Sequence, residues 1–333
     1  MSFALGTALL LVCASIFVNG WTDAPNAIAT VISTRVLSPR AAVIMATVFN
    51  LVGIMCFGTA VASTIANLVD VGTGSNPLIA ICAAQLSIVI WSVSAWKFGI
   101  PTSESHALIA GLMGAGIAYN GISAFKWSEF VKVLWGIGIS TFVGFFAAFL
   151  VTKLVALLFR RVKRSRANRF FSIGQIVSSA LMATSHGAQD GQKFMGVFVL
   201  VILLAKNQPI PETVHIDLWI MLLCSLVMAI GTSIGGYRII KTMGIDMVKL
   251  EKYQGFSAEI VASLCMLITT VKSGIPLSTT NTKGTAMMGA GAAKGFSQVN
   301  WGIAKEMVIA WVLTFPACLF LGYVMTKLFI LVF

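Results

Sequence analysis

The sequence predicts an all-α polytopic membrane protein built from two inverted-topology repeats, each with a proline-broken helical hairpin whose tip reaches a shared site. Three observations carry that expectation. Of 333 residues, 58% are hydrophobic and only 10% charged, whereas a soluble domain carries about 25% charged residues. Apolar runs of about 20 residues recur from end to end, each long enough to cross a ~30 Å hydrocarbon core. One stretch of chain also occurs twice: GIPTSESHALIAGLMGAG (99–116) aligns without gaps on GIPLSTTNTKGTAMMGAG (274–291), with eight of eighteen positions identical at an offset of 175.

In chain order, apolar segments run over 2–19, 41–67, 77–97, 102–119 and 130–158. The basic stretch RRVKRSRANR (160–169) follows, then segments 171–186, 191–205, 216–236, 256–272, 278–293 and 301–333. Segments 77–97 and 102–119 meet at Pro101; 256–272 and 278–293 meet at Pro276. Proline breaks a helix and disfavours helical geometry in the residue before it, so each junction is a tight bend, giving hairpins at 77–119 and 256–293. Such bends survive at membrane depth only where protein or a watery cavity surrounds them. A weaker match, G-x-x-D at Gly20–Asp23 and Gly187–Asp190, precedes each hairpin at an offset of 167. The two matches divide the chain into a first repeat at 1–159, a basic linker at 160–169 and a second repeat at 170–333.

Charge sets the orientation. The net charge of +12 lies in short loops between apolar segments, which reports membrane topology and excludes a nucleic-acid-binding face. With 160–169 in the cytoplasm, Arg35, Arg40, Arg238, Lys241, Lys249, Lys252 and Lys294 fall on the same side, and both termini fall outside. Each half then has an odd number of crossings, so the halves are inverted, a recurrent plan of secondary transporters with the substrate near the midplane. The six cysteines show no C-x-x-C spacing and read as small buried side chains.

Four of the eleven acids, Asp23, Glu104, Asp190 and Glu259, fall within or beside membrane segments. An ionised acid there costs about 2.5–3.5 kcal/mol, so each is a functional candidate or is paired for packing. Asp23 and Asn26 in NGWTDAPNAIATVISTR (19–35) are three apart, on one face of a helix. Pro25 argues for a break there that frees backbone carbonyls. A carboxylate, an amide oxygen and free carbonyls are hard oxygen ligands that suit a sodium ion, and the carboxylate alone suits a proton. The second copy, SHGAQDGQKFMG (185–196), repeats the acid as Asp190 but puts Lys193 where Asn26 stands. Lys193 pairs with Asp190 or faces an anion; His186 is an interior hydrogen-bonder, a ligand or a relay.

The hairpin tips carry hydroxyl clusters: Thr102, Ser103 and Ser105 after Pro101, and Ser278, Thr279 and Thr280 after Pro276. Each opens a helix, where free N–H groups and the positive dipole end make an anion cradle. Ordinary N-capping is the plainer alternative. Inversion would bring both tips to one site, which favours a shared tetrahedral oxyanion, assisted by Lys193, Lys272 or Lys283.

These motifs resemble the inorganic phosphate transporter (PiT) family. GWTDAPNAIATVISTRVLSPRAAV and SHGAQDGQKFMG look like its two signatures, GIPTSESHALIAGLMG and GIPLSTTNTKG like its hairpin tips, and YRIIKTMG…QGFSAE (237–259) like the approach to the second hairpin. The resemblance implies a symporter of inorganic phosphate with sodium or a proton, working by alternating access, with no other cofactor. It implies cation sites at Asp23, Asn26 and Asp190, with Gln189 beside Asp190, and phosphate held by the hydroxyls at 102–105 and 278–280. Glu104, Glu259, Lys193 and His186 become coupling or gating candidates. The expected location is the bacterial plasma membrane, and a homodimer is compatible with it. The chain departs from the family pattern in four places: Gly-Trp-Thr-Asp replaces Gly-Ala-Asn-Asp, Gln189 replaces Asn, Asn281 replaces a His, and an acid usual near Asn50 is absent. They leave the coupling ion open and keep a sulfate permease as the alternative, ahead of a passive channel. An enzyme is not expected, because the chain has no P-loop, nucleophile motif or His/Asp metal spacing.

Overall fold

The computed structural model describes residues 3–23, 25–70, 77–234 and 236–332. The outer ends of the expected segments 2–19 and 301–333 lie outside the described residues. Among the described residues the regular structure is helical: α1 (Phe3–Thr22), α2 (Pro25–Ser33), α3 (Pro39–Cys56), α4 (Ala60–Ala66), α5 (Leu78–Phe98), α6 (Glu104–Asn120), α7 (Trp127–Gly138), α8 (Gly144–Phe159), α9 (Arg164–Ala205), α10 (Leu218–Ile234), α11 (Tyr237–Lys241), α12 (Lys252–Lys272), α13 (Thr279–Ala292) and α14 (Trp301–Val332). A π-helical turn at Ile139–Val143 joins α7 to α8, and another at Thr242–Met247 extends α11. Seven helical stretches among the described residues are long and apolar enough to cross a membrane, and α10 with Tyr237–Met247 forms an eighth, bent by 63°. Large apolar side chains stand exposed along them, among them Phe142, Phe146 and Leu150, and Val312, Leu313 and Phe320. That surface suits a bilayer and would be an aggregation liability in water.

Both proline junctions are bends between antiparallel helices. Gly99 (φ +70°) and Gly274 (φ +60°) take the left-handed conformation that ends α5 and α12, a geometry that costs a residue with Cβ but not glycine. After Pro101 and Pro276 the chain stays extended to Ser103 and Ser278, whose side chains accept from His106 N and Asn281 N and so cap α6 and α13. Each bend is received by a short helix from the other half. Thr242 Oγ1 donates to Gly99 O at 3.0 Å, and Thr64 Oγ1 donates to Gly274 O at 2.9 Å. Beyond α6 and α13 a single 3-10 turn follows (Ile122–Ala124, Phe296–Gln298), with antiparallel pairs Val69–Phe125 and Val248–Val299 beside them.

Three expectations about elements are corrected. Segment 41–67 is two helices, α3 and α4, separated at 57–59. Segments 171–186 and 191–205 are one helix, α9, of 42 residues, about 63 Å at 1.5 Å per residue. It begins at Arg164, so six of the ten residues of the basic stretch are helical. Packing of α9 along α3, α4 and α12 outweighs the weak propensity of its glycines, because tertiary burial rather than propensity stabilises most helices. Residues 237–247, whose basic side chains mark them as a loop, are helical turns. Cys56 is exposed at the end of α3, unlike Cys82, Cys224, Cys265 and Cys318, which are buried as expected.

Glycines set the closest helix approach. A Cβ on Gly53 would lie 2.0 Å from Thr184 O, and one on Gly187 2.1 Å from Asn50 O, so α3 and α9 touch backbone to backbone. Gly187→Val must therefore push the helices apart, at a cost of about 1–3 kcal/mol for overpacking. We expect a lower unfolding midpoint in detergent; an unchanged midpoint would show that the crossing is not structural.

The apolar interior forms two clusters. One gathers α1, α4, α5, α6, α10 and the 194–201 stretch of α9; the other gathers α2, α3, α12, α13 and Met182–Ala183 of α9. Asp23, between α1 and α2, and residues 185–193 of α9 fall where the chain passes from one cluster to the other. Buried polar groups collect there.

Candidate functional site

At the break between α1 and α2, Asp23 ties the two ends together: its N–H donates to Asn19 O at 2.8 Å, and its carbonyl accepts from Asn26 N at 2.9 Å. Pro25 opens α2, as the sequence predicts, because a first-turn N–H has no helical partner to lose. The Asp23 carboxylate is turned to the second hairpin tip. Oδ1 accepts from Thr280 Oγ1 at 2.6 Å and from the Asn26 amide, and Oδ2 accepts from Thr279 Oγ1 at 2.8 Å.

Asp190 sits opposite, midway along α9, and shares that tip. Its Oδ2 lies 3.4 Å from Thr279 Oγ1 and accepts from Asn19 Nδ2 at 3.1 Å; its Oδ1 accepts from Lys193 Nζ at 2.7 Å. His186 Nε2 stands 3.4 Å from Oδ2, while Nδ1 meets Asn50 Oδ1 at 3.1 Å. Ligand atoms of Asp23, His186 and Asp190 all lie within 4.8 Å of one another, a spacing one small cation can bridge. The donor set fits a hard cation further: Asn19 Oδ1 and Asn26 Oδ1 are buried carbonyl oxygens with no hydrogen-bond partner, and buried polar atoms are rarely left so.

The two tips meet. Ser103 Oγ donates to Ser278 Oγ at 2.8 Å, and the two serines occupy the same position of the repeated sequence. Thr280 Oγ1 lies 3.0 Å from Thr102 O, and Ser105 Oγ donates to Leu277 O at 3.1 Å. Thr102 thus enters through its carbonyl, and Ser103 and Ser278 through their caps. Thr279 and Thr280, expected to face an anion, face carboxylates. With α13 starting at Thr279, the positive end of that helix points at Asp23.

Lys193 reaches both tips. Nζ donates to Ser105 Oγ at 2.5 Å, Leu277 O at 2.6 Å and Asp190 Oδ1 at 2.7 Å. The two remaining acids lie in separate nests. Glu104, in the first turn of α6, accepts from Thr22 Oγ1 at 2.9 Å and Ser92 Oγ at 2.5 Å. Glu259, in α12, accepts from Thr30, Ser178 and Ser179 hydroxyls and lies 3.5 Å from Lys283 Nζ. Gln189 is not with the aspartates. Its amide bonds Met266 O, Thr269 Oγ1, Ile275 O and Leu277 N, because it projects from α9 toward the second bend and holds it. Lys272 is exposed at the end of α12 and takes no part.

A model of the phosphate transporter family matches residues 19–165 and 158–322. The chain belongs to the phosphate transporter family. Among its relatives is a probable low-affinity inorganic phosphate transporter of Rhizobium meliloti (strain 1021), 40% identical over 302 residues that cover 90% of this chain and 89% of the relative. A protein of the same description from Bacillus subtilis (strain 168) is 38% identical over 319 residues, 95% of each chain. A solved structure described as the sodium-dependent phosphate transporter superposes with a TM-score of 0.84 over 100% of both chains at 22% identity, which establishes the fold. The family consists of transporters, not enzymes, and the chain is an integral membrane protein.

In this family member, sequence reasoning missed Asn19, Thr22, Thr30, Ser92, Ser178 and Ser179 as partners of the buried acids. Asn19 had a readable signal: it lies four residues before Asp23 and aligns with His186 at the offset of 167, and both side chains face Asp190, Asn19 donating to it and His186 Nε2 standing 3.4 Å away. The serines and threonines had none, since hydroxyls are common on membrane helices and only the fold says which face an acid.

Proposed function

We propose that this chain is a secondary active transporter of inorganic phosphate, coupled to sodium or a proton and working by alternating access. One observation carries the reading: the hydroxyls of Thr279 and Thr280, at the N-terminus of α13, donate to the carboxylate of Asp23. The donors an oxyanion needs are thereby held by an acid. A cation at Asp23, joined by the free oxygens of Asn19 and Asn26, competes with those hydroxyls for the carboxylate. It releases them toward phosphate and offsets the anion's charge, so each ligand favours the other, as linkage requires.

In this reading the chain is two inverted repeats, 1–159 and 170–333, joined through 160–169, and alternating access is the exchange between them. A residue touching its own counterpart, as Ser103 touches Ser278, is what a two-fold axis between the repeats produces. The axis would lie in the membrane plane at the tips. The positive-inside rule places 160–169 in the cytoplasm and both termini outside, in a bacterial plasma membrane.

The test is uptake of radiolabelled phosphate into proteoliposomes, with sodium and proton gradients imposed separately and sulfate as competitor. Because the fold neighbour is described as sodium-dependent, sodium comes first. Uptake driven by one gradient and indifferent to sulfate is expected. Uptake abolished by sulfate would assign the site to sulfate, and uptake indifferent to both gradients would replace symport by passive conduction.

A further inference from the structure

Among the described residues, four acids are buried, Asp23, Glu104, Asp190 and Glu259, and two lysines, Lys193 and Lys283. A carboxylate in this medium needs a counter-charge or a dense set of donors. Glu259 has Lys283 at 3.5 Å and three hydroxyls. Glu104 has two hydroxyls and the dipole of α6, whose first turn it occupies. Asp190 has Lys193 at 2.7 Å. Asp23 has hydroxyls and an amide but, among the described residues, no lysine or arginine.

The two aspartates occupy the same position of the repeated motif, and three residues beyond each stand Asn26 and Lys193. The Asn26 oxygen is buried without a partner. Lys193, by contrast, is complete. An ammonium has three protons, and three oxygens, on Asp190, Ser105 and Leu277, lie at 2.5–2.7 Å. These oxygens come from α9 and from both tips, which is the coordination a bound monovalent cation would have there.

We propose that Lys193 is a tethered cation that permanently fills at Asp190 the place its repeat counterpart Asn26 leaves open at Asp23, so that each anion moves with one mobile cation, bound at Asp23. This rests on the symport reading above. The ammonium supplies the charge and the bridge between tips at one aspartate, and the carrier draws on the ion gradient only at the other. The chain thus forgoes part of the driving force that two mobile cations would give, consistent with a site that is half built in.

The experiment measures initial phosphate uptake by the full chain in proteoliposomes against the concentration of the driving ion, sodium replaced by choline at fixed pH or the proton titrated without sodium. Below saturation, the unaltered chain is expected to show a log–log slope near one. Lys193→Asn, which recreates the Asp-x-x-Asn pattern of the first motif, is expected to raise the slope to about two and to need more of the ion for half-maximal rate. The mirror exchange, Asn26→Lys, is expected to lower it to about zero. A slope of two in the unaltered chain overturns the proposal even if neither variant folds. So does Lys193→Asn that is monodisperse and thermally intact yet transports with slope one, or binds no phosphate at any ion concentration. An unaltered chain with no ion-driven uptake is a different failure, of symport itself.

Discussion

Asp23→Asn is expected to abolish the dependence of phosphate uptake on the ion gradient while the protein remains folded. The substitution removes a buried negative charge that no lysine or arginine offsets among the described residues. Losing an uncompensated buried charge does not destabilise, in contrast to stripping a partner from a pair. Asparagine keeps an oxygen for one of the two threonine hydroxyls, so the tip stays attached to the α1–α2 break. What disappears is the site at which a cation gains charge stabilisation. Coupling free energies of about 1–3 kcal/mol correspond to about 5–150-fold in affinity, and this factor should collapse to one. Phosphate affinity measured with and without the driving ion, alongside a thermal melt, reads both halves. Full gradient-driven uptake by a folded Asp23→Asn protein would place the cation elsewhere.

Replacing both Thr279 and Thr280 by valine is expected to cost more in phosphate affinity than any single change at the tips. Valine keeps the shape of threonine and removes only the hydroxyl. Hydrogen bonds to a charged group are worth about 1.5–3 kcal/mol each, and at 1.4 kcal/mol per tenfold two of them give a loss of roughly 10²–10⁴-fold. Ser103→Ala makes the contrast. Ser103 caps α6 and donates to Ser278, so its loss should appear as about 1 kcal/mol of stability with a smaller change in affinity. Equal affinity losses from the two replacements would mean that the tip hydroxyls act by shaping the hairpins and not by binding.

Much of this protein was readable without coordinates, for reasons particular to membranes. A helix crossing ~30 Å of hydrocarbon needs about 20 apolar residues, and that demand is local in sequence. The prolines at 101 and 276 announced two bends, and each appears with a left-handed glycine before it and a capping serine after it. Buried acids are costly, which singled out Asp23, Glu104, Asp190 and Glu259 by their places within or beside apolar segments, and all four are buried.

Less was readable where packing decides. Residues 187–190 read as a gap between two segments, yet α9 runs through them because α3 and α12 press on its length. Residues 237–247 read as a basic loop, yet they fold against the first bend, with Thr242 bonding Gly99 O. Gln189 read as a neighbour of the cation because it adjoins Asp190, but adjacent residues on a helix point about 100° apart.

By itself, the sequence determined the residue types at the centre and their duplication: two aspartates, two hydroxyl tips, and a lysine in one copy where the other has asparagine. Only the tertiary structure decided which of them meet. Thr279 and Thr280 hold Asp23 across more than 250 residues of chain, Ser103 meets Ser278, and Lys193 spans Asp190 and both tips. The reason is physical. Membrane insertion acts on each segment separately, while the direction of a buried hydroxyl or ammonium is set by whichever acceptor from another helix satisfies it.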